Sequence, residues 1–290
     1  MWRPDPLVPP MQEEEFRLLR DLVHAHCGIL FRDDLRYVLE RRLWPRLQAL
    51  GLGGWRAYYR HLRFEPGRDE ELAAATDLLT TNETYFHREP HQLRAFAQEI
   101  LPELAARGAG ARRLRILSAG CSTGEEPHTV AILVRDSGLF ERWDVEVAAC
   151  DISRRVLEVA RAGAYGEHAF RNPEAEAMRR WFHLRGGRWV VDDAIRGMVR
   201  FFHANLLDPR ALAPVEGLDV LFCRNVMIYF DIPTRRRVLR GFHAKLRPGG
   251  WLLLGHAESL LHVTADFELA HLRNDLVYRR PGAAPAEEAP

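Results

Sequence analysis

The 290-residue sequence predicts an α/β protein, an open sheet built by alternating strands and helices, preceded by an all-helical region. Three observations carry this expectation. Apolar residues recur at helical spacing from Met11 to Leu104. Short apolar runs alternate with helical patterns from Leu114 onward. The first of those runs (Ile116, Leu117, Ala119) enters a loop holding Gly120 and Gly124, and a helical run (Val130 to Val134) leaves it.

The elements follow in order. Residues 1–10 are proline-rich and expected to be disordered. A helix is expected from Met11 to Cys27, with Glu13 to Glu15 suiting its start and Gly28 its end. Asp33 or Asp34 can cap a second helix carrying Leu35, Val38, Leu39 and Leu43, which Pro45 should kink or split near Trp44. Further helices are expected at Trp55 to Phe64 and Asp69 to Leu79. The stretch Leu78 to His91 mixes Thr, Asn, aromatic and Arg residues and suits a ligand-facing loop. A helix from Gln92 to Leu104 then leads to a Gly/Ala-rich linker. This division gives a helical domain at 11–90, an α/β domain at 91–280 and a disordered tail at 281–290.

Within the second domain, Val145 to Ala149 reads as a strand ending at Cys150 and Asp151, before a helix from Arg154 to Ala162. Gly186-Gly187 between two apolar runs reads as a β-hairpin, the centre of an inserted antiparallel subdomain at about 164–198. Val199 to Ala204 and Leu218 to Cys223 resume the alternation, and Thr234 to Leu246 is helical. Trp251 to Gly255 is a strand, and Phe267 to Leu272 with Leu276 to Arg279 form a closing antiparallel hairpin.

The loop after the first strand ends at a helix start, where unpaired N–H groups and glycines admit a ligand. A dinucleotide loop would read G-x-G-x-x-G, whereas here Gly120 and Gly124 are followed at once by Glu125 and Glu126. Two carboxylates would repel a pyrophosphate but suit a cofactor bearing ammonium and sulfonium charges, such as S-adenosylmethionine. The competing explanation is that both glutamates merely favour the helix dipole. Asp151, 27 residues beyond Gly124, is placed to accept from ribose hydroxyls, or else to cap the next helix. Gly120, Asp151, Asn205 and Asn225 all follow strand ends and so share one sheet edge, which favours the ligand site.

Charge and cysteine content narrow the classes. The 41 basic and 40 acidic side chains nearly cancel, so no overall field draws the chain to nucleic acid or anionic lipid. Locally, Leu35 to Arg63 holds seven arginines (Arg36, Arg41, Arg42, Arg46, Arg56, Arg60, Arg63) and one acid, Glu40. That is either a solvated face or a docking face for an acidic partner. Cys27, Cys121, Cys150 and Cys223 are far apart, which suits buried thiols in a reducing compartment, and a cytoplasmic protein without membrane insertion is expected. His87 and His91 have helical metal-pair spacing, but Pro90 intervenes and no third ligand is evident, so no metal is expected.

Several motifs in order are specific: TNETYFHRE (Thr81 to Glu89), STGEEP (Ser122 to Pro127), ACDIS (Ala149 to Ser153), NLL (Asn205 to Leu207), FCRNVMIYFD (Phe222 to Asp231), and LRPGG with LLLGHAES (Leu246 to Ser259). With them the chain resembles the CheR-type chemotaxis receptor methyltransferases over roughly Met11 to Arg280. The resemblance implies a Rossmann-like class I methyltransferase sheet. It also implies methyl transfer from S-adenosylmethionine to glutamate carboxylates of chemoreceptors. It further implies that Asn82, Thr84 and Arg88 close over the cofactor, that Glu126 meets its amino acid end and Asp151 its ribose, and that Asn205 and Leu206 line the adenine pocket. Arg224 and Asn225 complete the site, with Arg88 and Tyr229 nearest the transferred methyl. The helical domain and the inserted subdomain would face the receptor, the enzyme acting as a monomer. His87 departs from a common aromatic in that family, and His128 from a common tyrosine. A nucleic-acid methyltransferase and a non-catalytic cofactor-binding regulator are the competing readings.

Overall fold

The computed structural model describes residues 8–108 and 110–282. The expectations for the first seven and last eight residues lie outside them. Val8 to Pro10, expected to be disordered, are held, because the Trp55 indole donates to the Pro9 carbonyl at 2.8 Å.

The chain begins with helix α1 (Glu13–Cys27), two residues later than the periodicity suggests, because Gln12 and Glu15 form a capping box. Gly28 ends it in the left-handed region at φ 77°. A 3₁₀ turn (Asp33–Leu35) leads into α2 (Arg36–Ala49), so neither aspartate caps that helix. Pro45 does not split it either. The helix runs through to Ala49, and Leu39, Leu43 and Leu47, each fully buried, hold both halves against the same core. α3 (Trp55–Phe64) and α4 (Arg68–Leu79) complete the helical layer.

α5 (Pro90–Ala95), a π-helical turn (Phe96–Ile100) and α6 (Leu101–Arg107) run on from one another. The alternation that follows is β1 (Arg113–Ala119), α7 (Glu125–Asp136), β2 (Asp144–Asp151) and α8 (Arg154–Ala162). The insertion comprises β3 (Ala164–Tyr165), 3₁₀ turns at Glu167–Phe170 and Pro173–Trp181, β4 (Phe182–Arg185), β5 (Arg188–Val191) and α9 (Asp193–Arg196). β6 (Val199–His203), β7 (Leu218–Cys223), α10 (Ile232–Lys245), β8 (Leu246–Leu254), β9 (Glu268–His271) and β10 (Leu276–Arg279) close the chain. The main sheet runs β6-β2-β1-β7-β8-β10-β9, parallel except for β10 and β9, and a second sheet runs β3-β5-β4. β1 lies between β2 and β7, so the chain reverses direction across the sheet there, and ligands of such sheets bind at that point.

Alternation along the strands divides the core. Leu117, Ala119, Ala148, Leu221, Leu252 and Leu254 face the helical layer and α10, whereas Ile116, Val147, Val220, Phe222 and Leu253 face the opposite side. On that opposite side Tyr165, Phe170, Phe182 and Ile195 of the insertion share one core with Phe86 and Phe96. The insertion is thus packed into the domain rather than appended to it.

The arginine-rich helices are largely self-satisfied. Arg42 donates to the Leu79 and Thr80 carbonyls at 2.7 and 3.2 Å, and Arg46 forks onto Glu71, which also accepts from the Tyr58 hydroxyl at 2.7 Å. Arg56 pairs with Glu14, and Arg36 lies 5.5 Å over the Phe16 ring. Arg41 and Arg60 are exposed without a hydrogen-bond or ion-pair partner among the described residues.

Glu71 is 5 % exposed. Burial raises its carboxyl, but the hydrogen bonds from Arg46 and Tyr58 outweigh this and hold it below the ordinary carboxylate value. Glu71→Ala strands both partners and should cost about 3 kcal/mol in urea unfolding at pH 7. Because the folded carboxyl is the lowered one, that stabilisation is complete above the unfolded value of about 4.3 and lost as pH falls through the folded value. The wild-type and variant curves should therefore converge in acid.

Candidate active site

Asn82, Thr84, Arg88, Gly120, Glu126, Asp151, Asn205, Leu206, Arg224, Asn225 and Tyr229 line one cavity of about 1020 Å³, its open mouth included, at the carboxyl edge of the sheet. The sequence did not single out Cys27 and Ile29, which the end of α1 adds to the wall, nor Tyr85, Thr129 and Val226.

The floor is the loop after β1. Gly120 adopts φ 78°, and a Cβ there would lie 2.3 Å from Val226 Cγ2, so only glycine allows the β1 and β7 loops to meet. Ser122 also takes a left-handed conformation at φ 50°. It is held there because its N–H donates to Asp151 Oδ2 at 2.8 Å and its hydroxyl to the Asn82 carbonyl at 3.3 Å. Asp151 accepts from the Ser153 N–H on its other oxygen, while Ser153 itself caps α8. Burial raises the Asp151 carboxyl, against the opposing pull of these two N–H groups. Each oxygen retains a lone pair for a ligand hydroxyl.

The two glutamates of the loop separate. Glu125 is buried, accepts from the Thr123 hydroxyl at 2.6 Å and does not line the cavity, and burial raises its carboxyl. The expectation of paired carboxylates at the mouth is therefore corrected. At the first two positions of α7 the side chains point about 100° apart, so only one can face the ligand. Glu126 does line the cavity, accepting from Ser118 Oγ at 2.7 Å and from Arg224 Nη1 at 3.1 Å. Glu126 and Asp151 thus face the cavity with Arg88 and Arg224, while the carboxylate of Glu83, also in the wall, is paired with Arg171.

Arg224 joins the parts. Its side chain is 2 % exposed and bonds Glu126, the Arg88 carbonyl and Glu89. Glu89, at φ 56°, also accepts from Asn225 Nδ2 at 3.0 Å and the His256 N–H at 3.1 Å. Burial raises the Glu89 carboxyl, but Arg224 and these donors outweigh it and leave it lowered. Glu258 accepts from the N–H groups of Asn225, Gly255 and Ile228 at 2.8, 2.7 and 3.1 Å, fixing the turn that carries Tyr229. Neither glutamate has a helical or strand periodicity to reveal it.

Asn205 faces the cavity while its amide donates to the His26 carbonyl at 2.6 Å, and the Leu30 N–H donates to the Tyr229 carbonyl at 2.9 Å, so the helical layer closes this end of the site. His128 is buried and meets the Tyr165 hydroxyl at 2.9 Å. Since Tyr165 donates to the Thr123 carbonyl, the histidine Nδ1 carries the hydrogen. Burial lowers the His128 pKa to about 3, so it is neutral at physiological pH. His87 lies outside the cavity wall, its carbonyl held by Asn172 at 2.6 Å. No group of three or more metal-ligating side chains occurs among the described residues.

A cavity at the sheet reversal, floored by a close-approach glycine and walled by Glu126 and by a carboxylate at the second strand end, fits S-adenosylmethionine. Residues 82–275 match the family model described as CheR methyltransferase, SAM binding domain, and residues 14–80 match CheR methyltransferase, all-alpha domain. The chain is 34 % identical over 278 residues to chemotaxis protein methyltransferase 2 of Vibrio cholerae, covering 95 % of this chain and 96 % of that one. It is 39 % identical over 258 residues to chemotaxis protein methyltransferase 2 of Pseudomonas aeruginosa, covering 87 % and 88 %. It is 35 % identical over 277 residues to chemotaxis protein methyltransferase of Vibrio parahaemolyticus, covering 93 % and 98 %. The chain belongs to the CheR family of chemotaxis methyltransferases and is an S-adenosylmethionine-dependent methyltransferase.

Gly120→Ala should weaken S-adenosylmethionine binding at least about tenfold in calorimetry, since it adds left-handed strain to a clash. Gly138→Ala, equally left-handed at φ 65° but with open space around it, should leave affinity unchanged.

Proposed function

We propose that this enzyme methylates glutamate carboxylates in the cytoplasmic domain of chemoreceptors, forming methyl esters. The observation that carries the reading is the state of the cavity's two guanidiniums. Arg224 is neutralised by Glu126 and Glu89. Arg88 pairs with no carboxylate among the described residues; it donates to the Glu83 carbonyl at 2.6 Å and lies 5.8 Å from the Tyr85 ring. A guanidinium in the cavity wall that no carboxylate neutralises suits an anionic acceptor.

When bound, S-adenosylmethionine supplies a methyl group on a sulfonium that leaves as a neutral thioether. A glutamate acceptor, with an ordinary pKa near 4.3, is already ionised at neutral pH, so no residue has to remove a proton. The protein's contribution is alignment, which is worth on the order of 7–11 kcal/mol for well-held reactants. In this reading Arg88 and Tyr229 orient the acceptor. Glu126 and Asp151 hold the donor's amino acid and ribose ends, Asn82 and Thr84 cover it, and Asn205 with Leu206 receives the adenine. The acidic partner docks on the exposed Arg41, Arg60 and Arg63. Arg42 and Arg46 are committed to packing.

Arg88→Ala should slow single-turnover transfer to receptor membranes by about a hundredfold at saturating donor, and an unchanged rate would remove Arg88 from the reacting end. Label transferred from tritiated donor should be released as methanol by alkali, because esters hydrolyse and methylated bases do not. Arg41→Glu with Arg60→Glu should raise the receptor KM about tenfold while leaving kcat and cofactor affinity unchanged.

A further inference from the structure

The loop bearing Arg88 is fastened from two sides, by the Arg224 cluster at the Arg88 carbonyl and Glu89 and by the insertion at Glu83 to His87. The Phe86 N–H donates to the Ala169 carbonyl at 2.8 Å, and the Phe86 ring packs within 5.0 Å of the Phe170, Tyr165 and Phe182 rings. The Asn172 amide donates to the His87 carbonyl at 2.6 Å. Arg171 lies 3.9 Å over the Tyr85 ring and pairs with Glu83 at 2.9 Å, and the carbonyl of Glu83 in turn holds the Arg88 guanidinium. His87 and Glu89, on either side of Arg88, both have positive φ, a conformation that non-glycine residues keep only when their surroundings impose it.

We propose that Arg171 and Asn172 are positioning residues for methyl transfer: the inserted subdomain, by gripping Glu83, Tyr85 and His87, sets the aim of Arg88. The insertion then contributes to the reaction within its own chain, apart from any contact it makes with a receptor. Anything that disturbs the turns at Glu167–Phe170 and Pro173–Trp181 reaches the methyl-transfer step through this grip. Arg171 supplies a flat cation that stacks on Tyr85 while reaching Glu83, which a lysine ammonium cannot do at once. Asn172 supplies two functions that can be separated: its Oδ1 accepts from the Glu174 N–H and caps the second turn, whereas its Nδ2 holds His87.

The inference rests on the assignment of Arg88 to the reacting end, and a double-mutant cycle tests the two separately. The variants are Arg171→Met, which keeps the apolar stem, and Asn172→Asp, which keeps the cap but loses the donor, each alone and combined with Arg88→Lys. Single-turnover transfer from labelled donor to receptor membranes, donor affinity and melting temperature are measured on the full chain. Each variant alone should slow transfer by about tenfold or more with donor affinity within about threefold and melting unchanged, and neither should slow Arg88→Lys further. A wild-type rate in both Arg171→Met and Asn172→Asp, or losses that multiply with that of Arg88→Lys, overturns the positioning role while leaving Arg88 in place. A wild-type rate in Arg88→Lys and Arg88→Ala overturns the assignment of Arg88 and the positioning role together.

Discussion

A guanidinium withdrawn from water needs carboxylate and carbonyl partners, and the Arg224 side chain, 2 % exposed and bonded through both Nη atoms, is the constraint on which the site depends. It joins three separate stretches: its partners are Glu126 at the start of α7 and the Arg88 carbonyl and Glu89 on the loop between α4 and α5, and Arg224 itself directly follows β7. None of these can move without stranding a buried charge. The cost of that, several kcal/mol per ion, makes one arrangement of the loop strongly preferred. Asn225, next in sequence, is tied to the same Glu89 and to Glu258. The cluster therefore orients the cavity wall from within.

Around this centre, the flanking parts divide the work by position. The helical layer reaches the cavity through Cys27 and Ile29 and is latched by the Asn205 and Leu30 hydrogen bonds. Gly28 makes this possible. A Cβ there would lie 2.7 Å from Leu207 and 2.8 Å from Thr234, so α1 ends in close contact with the sheet domain. The insertion approaches from the opposite side through Phe86 and the aromatic rings around it. Both additions touch the same loop system, and neither is a free-standing module.

Much of the sheet was legible because its strands, buried on both faces, read as short apolar runs between helical patterns, each closing at a glycine or a polar residue. Gly120, Asp151, Asn205 and Asn225 could be placed on one edge from that alone. The family motifs drew Arg88, Arg224 and Tyr229 to the same cavity. What could not be read were matters of side-chain direction. Glu125 and Glu126 are adjacent in sequence, yet one is buried against Thr123 and the other faces the ligand. Arg42 and Arg46 look like surface charge in the sequence, yet they serve as the connectors between α2 and α4 because Glu71 and the last carbonyls of α4 await them. Pro45 was expected to break α2, but the leucines on either side were buried in one core and tertiary packing outweighed the missing hydrogen bond. Glu89 and Glu258 lie in irregular segments where no periodicity points to a role.

The central claim is that this site aligns an acceptor already ionised and needs no proton transfer. The dependence of the single-turnover methylation rate on pH tests it most directly, measured with saturating donor and receptor membranes between about pH 6.5 and 8.5. The acceptor's ordinary pKa near 4.3 lies well below this window, so the rate should be flat across it. A rate rising tenfold per pH unit would show that a base must first take a proton, and would contradict the account.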